Sequence, residues 1–386
     1  MALSFRSVSY LFPFGWVLPR MTAPVAAVAT AAVLVSCAKG PHEHAGMPDE
    51  SMLLDSSVTR GVRAAIREAR AVYGEDSIPA AEPFFAMLDS TARALRARVD
   101  TPTHPPGQIE VMAEVVYDDW GIAFDPDQDD LLSLLPHTVV ARSRGSCLGV
   151  SLLLLMLAEQ ADVPLHGVLL PGHFFVRYDD GRRRRNIEPN RRAYAHPLRY
   201  YRHRYDVATD SWYDLDNLSD REVLAVLRYN MGNIYRASGR MRRAIVAYRQ
   251  CVRVLPGFAE AWGNLAIALD ERGEKDAARS AFTQALMARP SLPNLAGNLG
   301  AFELRHGNAA AALAAYRQGV ALTPDDPLLH YGIGLAHCAL GRIDSARAAL
   351  VRLERHSRVH VRGGAGTGEL VRALTKALDG GCGSVR

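Results

Sequence analysis

Lysine is nearly missing from this 386-residue chain: only Lys39, Lys275 and Lys376 stand among its 45 basic residues. The rest are arginine, and the formal net charge is only +4. Over this length such a charge is nearly neutral overall. The arginine bias is read as genome base composition, and no nucleic-acid partner is expected. Long apolar runs are also scarce. Outside residues 22–35, nothing approaches the ~20 apolar residues of a membrane-spanning helix. Cysteine is limited to five residues, with no Cys-x-x-Cys pair. That excludes a dithiol redox motif, and the spacings fit neither a zinc site nor a disulfide framework. No obligatory disulfide is expected, and Cys147 is expected to be reduced and accessible. The acidic run at 125–130 lacks the glycine and terminal glutamate of a calcium loop, so it is read as the start of a helix over 130–135. No metal and no cofactor are expected.

The one apolar run, residues 22–35, is preceded by Arg6 and Arg20 and ends in Leu34-Val35-Ser36-Cys37. This is the layout of a secretory leader. Its last four residues resemble a bacterial lipobox. The resemblance implies a leader over 1–36 and a lipid on Cys37. With Ala38 next, it also implies attachment to the outer membrane, facing the periplasm. Residues 37–52 read as a polar tether, with His42 and His44 as exposed linker residues.

Three residues carry the chemistry. Cys147 lies in Gly145-Ser146-Cys147-Leu148-Gly149-Val150-Ser151, ahead of the apolar stretch 148–158, which reads as a buried helix. A helix start favours a thiolate through its free N–H groups and dipole, and Arg142 and Arg144 lie just upstream. His173 sits in strand-like sequence over 168–178. Asp180-Gly181 is a two-residue hairpin signal, and that loop sets His173 directly opposite Glu188, on one face. A carboxylate there would orient the imidazole and stabilise its charged form. The order is that of a papain-like cysteine site: nucleophile Cys147, base and acid His173, orienting carboxylate Glu188.

Pro171-Gly172-His173-Phe174-Phe175-Val176-Arg177 and Asn186-Ile187-Glu188-Pro189 resemble the transglutaminase-like core superfamily, and within it the bacterial SirB-like N-terminal domain. The resemblance covers roughly 53–215 and implies the same three roles. Glutamate stands where the family usually has aspartate, one methylene longer. Arg182-Arg183-Arg184-Arg185 and Arg191-Arg192 flank Glu188. In the hairpin register above, Arg184 shares the face of His173 and is a candidate substrate contact.

From about residue 224 the chain repeats every 34 residues. Gly232, Ala266, Gly300 and Gly334 form one series, and Gly239, Gly273, Gly307 and Gly341 another. Ala244, Ala278, Ala312 and Ala346 follow, as do Tyr248, Phe282, Tyr316 and Leu350, and Pro256, Pro290 and Pro324. The period and residue choice resemble tetratricopeptide repeats. Four of them fill 224–358, with a capping helix over 368–378 and a flexible tail within 359–386.

The fold class is therefore α+β: a papain-like or transglutaminase-like core domain, followed by an all-α repeat solenoid. The function expected is an envelope-anchored cysteine hydrolase or acyl transferase acting on peptide or isopeptide amides, its repeats holding an envelope protein or peptide. The alternative is a non-catalytic scaffold of the same envelope.

Overall fold

A computed structural model describes residues 57–99, 105–125, 130–205, 215–359 and 366–382. The leader, Cys37 and the tether lie outside these residues. The chain divides between Arg272 and Gly273 into two compact units.

The first unit is built around one helix. Helix α1 covers Val58–Tyr73, α2 Glu82–Val99 and α3 Pro105–Ala113, which runs on as a π-helical turn to Asp119. A two-residue strand β1 (Ala123–Phe124) precedes α4 (Leu131–Leu134) and α5 (Pro136–Arg142). Strand β2 (Arg144–Gly145) leads into α6 (Cys147–Gln160). Every residue of α6 from Leu148 to Ala158 is buried, as a helix that is apolar all round must be. It packs against α1, α2 and α5, and against a three-stranded antiparallel sheet in the order β3-β4-β5. Those strands are Leu165–Leu170, His173–Asp179 and Arg184–Ile187. Helix α7 (Leu198–Arg204) follows.

The stretch 168–178 is not one strand. Pro171 and Gly172 turn the chain between β3 and β4, so that Leu170 pairs with His173. Proline supplies the first bend, and Gly172 adopts φ +66°, where a Cβ is unfavourable. This turn makes His173 the first residue of β4.

The hairpin register also differs from the two-residue expectation. Asp179 pairs with Arg184 and Val176 with Ile187. The loop holds four residues because the Asp180 carboxylate accepts the N–H groups of Arg182 (2.8 Å) and Arg183 (2.6 Å). Such side-chain turns compete with the tight hairpin. The register therefore moves by a whole side-chain period, not by one residue. Glu188 keeps its face but sits diagonal to His173, where directly opposite was expected.

Helix α8 (Asp220–Ala237) opens the repeats and is also part of the first unit's core. A capping box of Ser219 and Glu222 starts it. Arg228, 1% exposed, pairs with Glu68 of α1, and Tyr235 donates to the same carboxylate at 2.8 Å. Tyr73 stacks on Tyr235 at 6.1 Å. Helices α9 (Met241–Val254) and α10 (Ala259–Glu271) complete this unit.

The second unit holds α11 (Lys275–Ala288), α12 (Pro293–Arg305), α13 (Ala309–Leu322), α14 (Pro327–Ala339), α15 (Ile343–Val359) and α16 (Gly366–Asp379). The starts of α9, α11, α13 and α15 recur at the 34-residue period across both units. Each first helix of a pair ends at a glycine with positive φ, between +69° and +82° (Gly239, Gly273, Gly307, Gly341). Small residues allow close approach: a Cβ at Gly300 would lie 2.7 Å from the Tyr316 ring, and one at Gly332 2.4 Å from it. Helix α16 buries Leu374 and Ala377 in a core with Leu335 and Ala336 of α14.

One expectation is overturned here. Cys338 and Cys382 form a buried disulfide, with Cα atoms 5.1 Å apart. They are 44 positions apart, one in a repeat and one beyond α16. Sequence spacing could not pair them, because only the packing of α16 on α14 brings the tail back.

Candidate active site

The start of α6 is held by backbone on both sides. Ser146 is the N-cap, and its hydroxyl accepts the Gly149 N–H at 3.2 Å and donates to the Ser133 carbonyl at 3.1 Å. The Ser146 N–H also donates to that carbonyl, at 2.9 Å. Asp130 caps α4 by accepting the Ser133 N–H at 2.7 Å. Gly149 is needed for this approach, since a Cβ there would lie 2.2 Å from the Ser133 oxygen. Cys147 thus occupies the first helical position, as a free and half-buried thiol. Its own N–H and that of Leu148 lie in the first turn, where a helix has no internal acceptor for them.

His173 reaches the same place from the sheet. It is 5% exposed, and its Nε2 donates to the Glu188 carboxylate at 2.9 Å. Glu188, 3% exposed, follows β5 and is fixed through its backbone. Its N–H donates to the Tyr194 carbonyl at 3.0 Å, and its carbonyl accepts from Ala193 at 3.1 Å. The second carboxylate oxygen accepts the Asn190 N–H at 3.3 Å. The extra methylene of glutamate suits the diagonal register, where side chains must span further than a direct pair.

Burial by itself pushes the His173 pKa down. Hydrogen bonds to Cys147 and to Glu188, together with the charges on both, outweigh it and lift the value to about 9. With Nε2 engaged by Glu188, Nδ1 is the nitrogen left for Cys147. The arrangement can hold an imidazolium between a sulfur and a carboxylate, which suits nucleophilic attack followed by protonation of a leaving group.

Cys147, His173 and Glu188 are therefore adjacent in space. Arg184 is not with them. It lies at the other end of β4, paired to Asp179 at 2.6 Å and 70% exposed, roughly 20 Å along the strand from His173 at ~3.3 Å per residue. Arg144 and Arg142 pair with Asp125 (3.6 Å) and Asp130 (3.5 Å). Cys37 lies outside the described residues. Among the described residues no group of His, Cys, Asp and Glu is arranged to hold a metal ion.

Sequence reasoning missed an aromatic shell. The Tyr205 ring stacks on His173 at 4.6 Å, and Tyr201 stacks on Phe175 at 4.2 Å. The Tyr117 hydroxyl donates to the Pro189 carbonyl at 3.1 Å, beside Glu188. Burial first, and the Glu188 charge second, push the phenols of Tyr117, Tyr201 and Tyr205 above the usual range. The available signal was the tyrosine density between Tyr194 and Tyr205. Arg177 lies in the same Pro171–Arg177 stretch as His173. It is 3% exposed and binds Asn186 (2.8 Å), Asn217 (3.1 Å) and the Leu215 carbonyl, tying the chain after α7 to the sheet.

Comparison with known proteins places these features. Residues 82–227 match the family model of the transglutaminase-like superfamily. Residues 229–293 match a tetratricopeptide repeat model and 303–341 a TPR repeat model. No curated protein sequence matches the chain. Among solved structures, a crystal structure of MamA is 22% identical, with a TM-score of 0.35, over 36% of this chain and 81% of that one. MamA residues 41 to the end from Desulfovibrio magneticus RS-1 give 20% identity and a TM-score of 0.33, over 42% and 92%. YrrB, described as a TPR protein with an unusual peptide-binding site, gives 18% and 0.33, over 42% and 80%.

Proposed function

Since this chain joins a transglutaminase-like domain to tetratricopeptide repeats, we propose that it is a cysteine hydrolase or acyl transferase of the cell envelope. Its substrate class is a peptide or isopeptide amide, held in part by the repeats. The observation that carries this reading is the buried His173–Glu188 pair at 2.9 Å, with Cys147 close enough to the imidazole to raise its pKa.

In this reading the Cys147 sulfur attacks the amide carbon while its proton resides on His173. The tetrahedral oxyanion is met by first-turn N–H groups of α6. His173 then gives its proton to the leaving amine, and a thioester to Cys147 remains. Water attacks that thioester in hydrolysis; a second amine attacks it in transfer. The neutral His173 takes the proton of that water or amine and returns it to the departing Cys147 sulfur, and Glu188 keeps the imidazole oriented throughout and stabilises it whenever it is charged.

The buried Cys338–Cys382 disulfide supports an oxidising compartment, and hence export. The lipobox-like segment ending at Cys37 supports an anchor to the membrane. Stacked repeat helices commonly present a surface for an extended chain, which supports a protein or peptide partner in the envelope.

The test is to incubate the protein with envelope extract and search Cys147 for an acyl adduct by mass spectrometry. An adduct that is lost in Cys147→Ala and trapped in slow-hydrolysing conditions supports the enzyme. A Cys147→Ala variant that stays folded and anchored and keeps the full cellular role would leave only the scaffold.

A further inference from the structure

Glu188 holds Nε2 of His173 at 2.9 Å, and Nδ1 is left for Cys147. The face of the ring is covered by something else. The Tyr205 ring, directly after α7, lies parallel to it, with planes 1° apart and centroids at 4.6 Å. Tyr205 is not loosely placed. One turn earlier Tyr201 is fully buried, and it stacks on Phe175 at 4.2 Å, with Tyr205 at 6.4 Å from it. Phe175 is two residues from His173 on the same face of β4, at 6.3 Å. Sheet and helix are thus locked through Tyr201, and Tyr205 is delivered to one face of the catalytic imidazole.

We propose that Tyr205 is a positioning residue acting through His173, its aromatic face favouring the imidazolium and holding the ring plane with Nε2 on Glu188 and Nδ1 toward Cys147. This rests on the cysteine-hydrolase reading and deepens it.

A buried imidazolium loses hydration, and an aromatic face returns part of that attraction without adding a charge. The groups facing His173 are Cys147 from α6, Glu188 from the segment after β5 and the Tyr205 phenol at the end of α7. Burial, and then the Glu188 charge, raise the Tyr205 phenol pKa well above the usual range. The ring therefore stays neutral over the whole range in which His173 titrates. A phenolate in that place would act as a second anion; a neutral phenol acts through its face, and phenylalanine should do the same.

The test uses the full chain. The rate of Cys147 alkylation by iodoacetamide is followed from pH 5 to 10, together with the imidazole nitrogen shifts of His173. Tyr205→Phe should keep both profiles. Tyr205→Met should lower the His173 pKa by about one unit, a tenfold change in the imidazolium–imidazole equilibrium. Its labelling rate at neutral pH should fall severalfold. Tyr205→Trp offers a stronger face and should hold or raise that pKa, which keeps the idea testable if the methionine variant fails to fold. Unchanged His173 titration in Tyr205→Met, a loss in Tyr205→Phe equal to that in Tyr205→Met, or a lowered pKa in Tyr205→Trp would overturn the role of the ring. Should the native protein itself label no faster than an ordinary thiol, the enzyme reading fails, whatever the Tyr205 variants do.

Discussion

Replacing Glu188 by glutamine keeps the shape of the site and removes one charge. In the native protein His173 and Glu188 are 5% and 3% exposed and 2.9 Å apart, so solvent screens their bond little. A hydrogen bond to a charged partner is worth about 1.5–3 kcal/mol. At 1.36 kcal/mol per unit, its loss should lower the His173 pKa by about 1–2 units from about 9. The sign follows from the raised value. The charged histidine stabilises the native state fully below the unfolded pKa of ~6.5, and that stability is lost as pH rises through about 9. In Glu188→Gln the same loss should be complete about 1–2 units lower, and the variant should fall furthest below the native protein near pH 6, where the native contribution is full. Imidazole nitrogen shifts followed against pH give the pKa directly, and urea midpoints at pH 6 and pH 9 give the linked stability. A variant whose His173 still titrates near 9 would show that the charge on Glu188 contributes nothing to the imidazolium.

Gly149→Ala should place a methyl 2.2 Å from the Ser133 carbonyl, costing on the order of 1–3 kcal/mol by overpacking and displacing the start of α6. Thermal melting and Cys147 labelling should both register it; a variant as stable and as reactive as the native protein would show that the contact is not confining. Arg228→Met should cost about 3–5 kcal/mol, because it leaves the Glu68 carboxylate buried against α8 without its cation. Denaturant unfolding measures this, and a loss below 1 kcal/mol would mean that water reaches Glu68.

The legible part of this chain was its periodic and ordered part. A 34-residue recurrence of small and large residues needs no tertiary knowledge, because every repeat meets the same neighbours. The meeting of His173 with Glu188 was legible for a related reason: a histidine in strand-like sequence and an acid just across a hairpin signal are local signals. What failed depended on competition or on distance. Asp180-Gly181 suggested a tight loop, but the Asp180 side chain bonds two following N–H groups and widens it. The face of Glu188 survived because the register moved by a full side-chain period. Arg184 did not survive as a neighbour of His173, since the widened loop sets it against Asp179. The Cys338–Cys382 bond and the stacking of Tyr205 on His173 both arise from helices returning to distant sequence, which no local pattern records.

The central claim is that Cys147, His173 and Glu188 act as one nucleophilic unit. The most direct measurement is the rate of iodoacetamide labelling at Cys147 at neutral pH, located by peptide mass spectrometry, in the native protein and in His173→Gln. The native thiol should label severalfold faster than an ordinary exposed thiol, and His173→Gln should lose that excess. Equal rates in the native protein and in His173→Gln would contradict the claim.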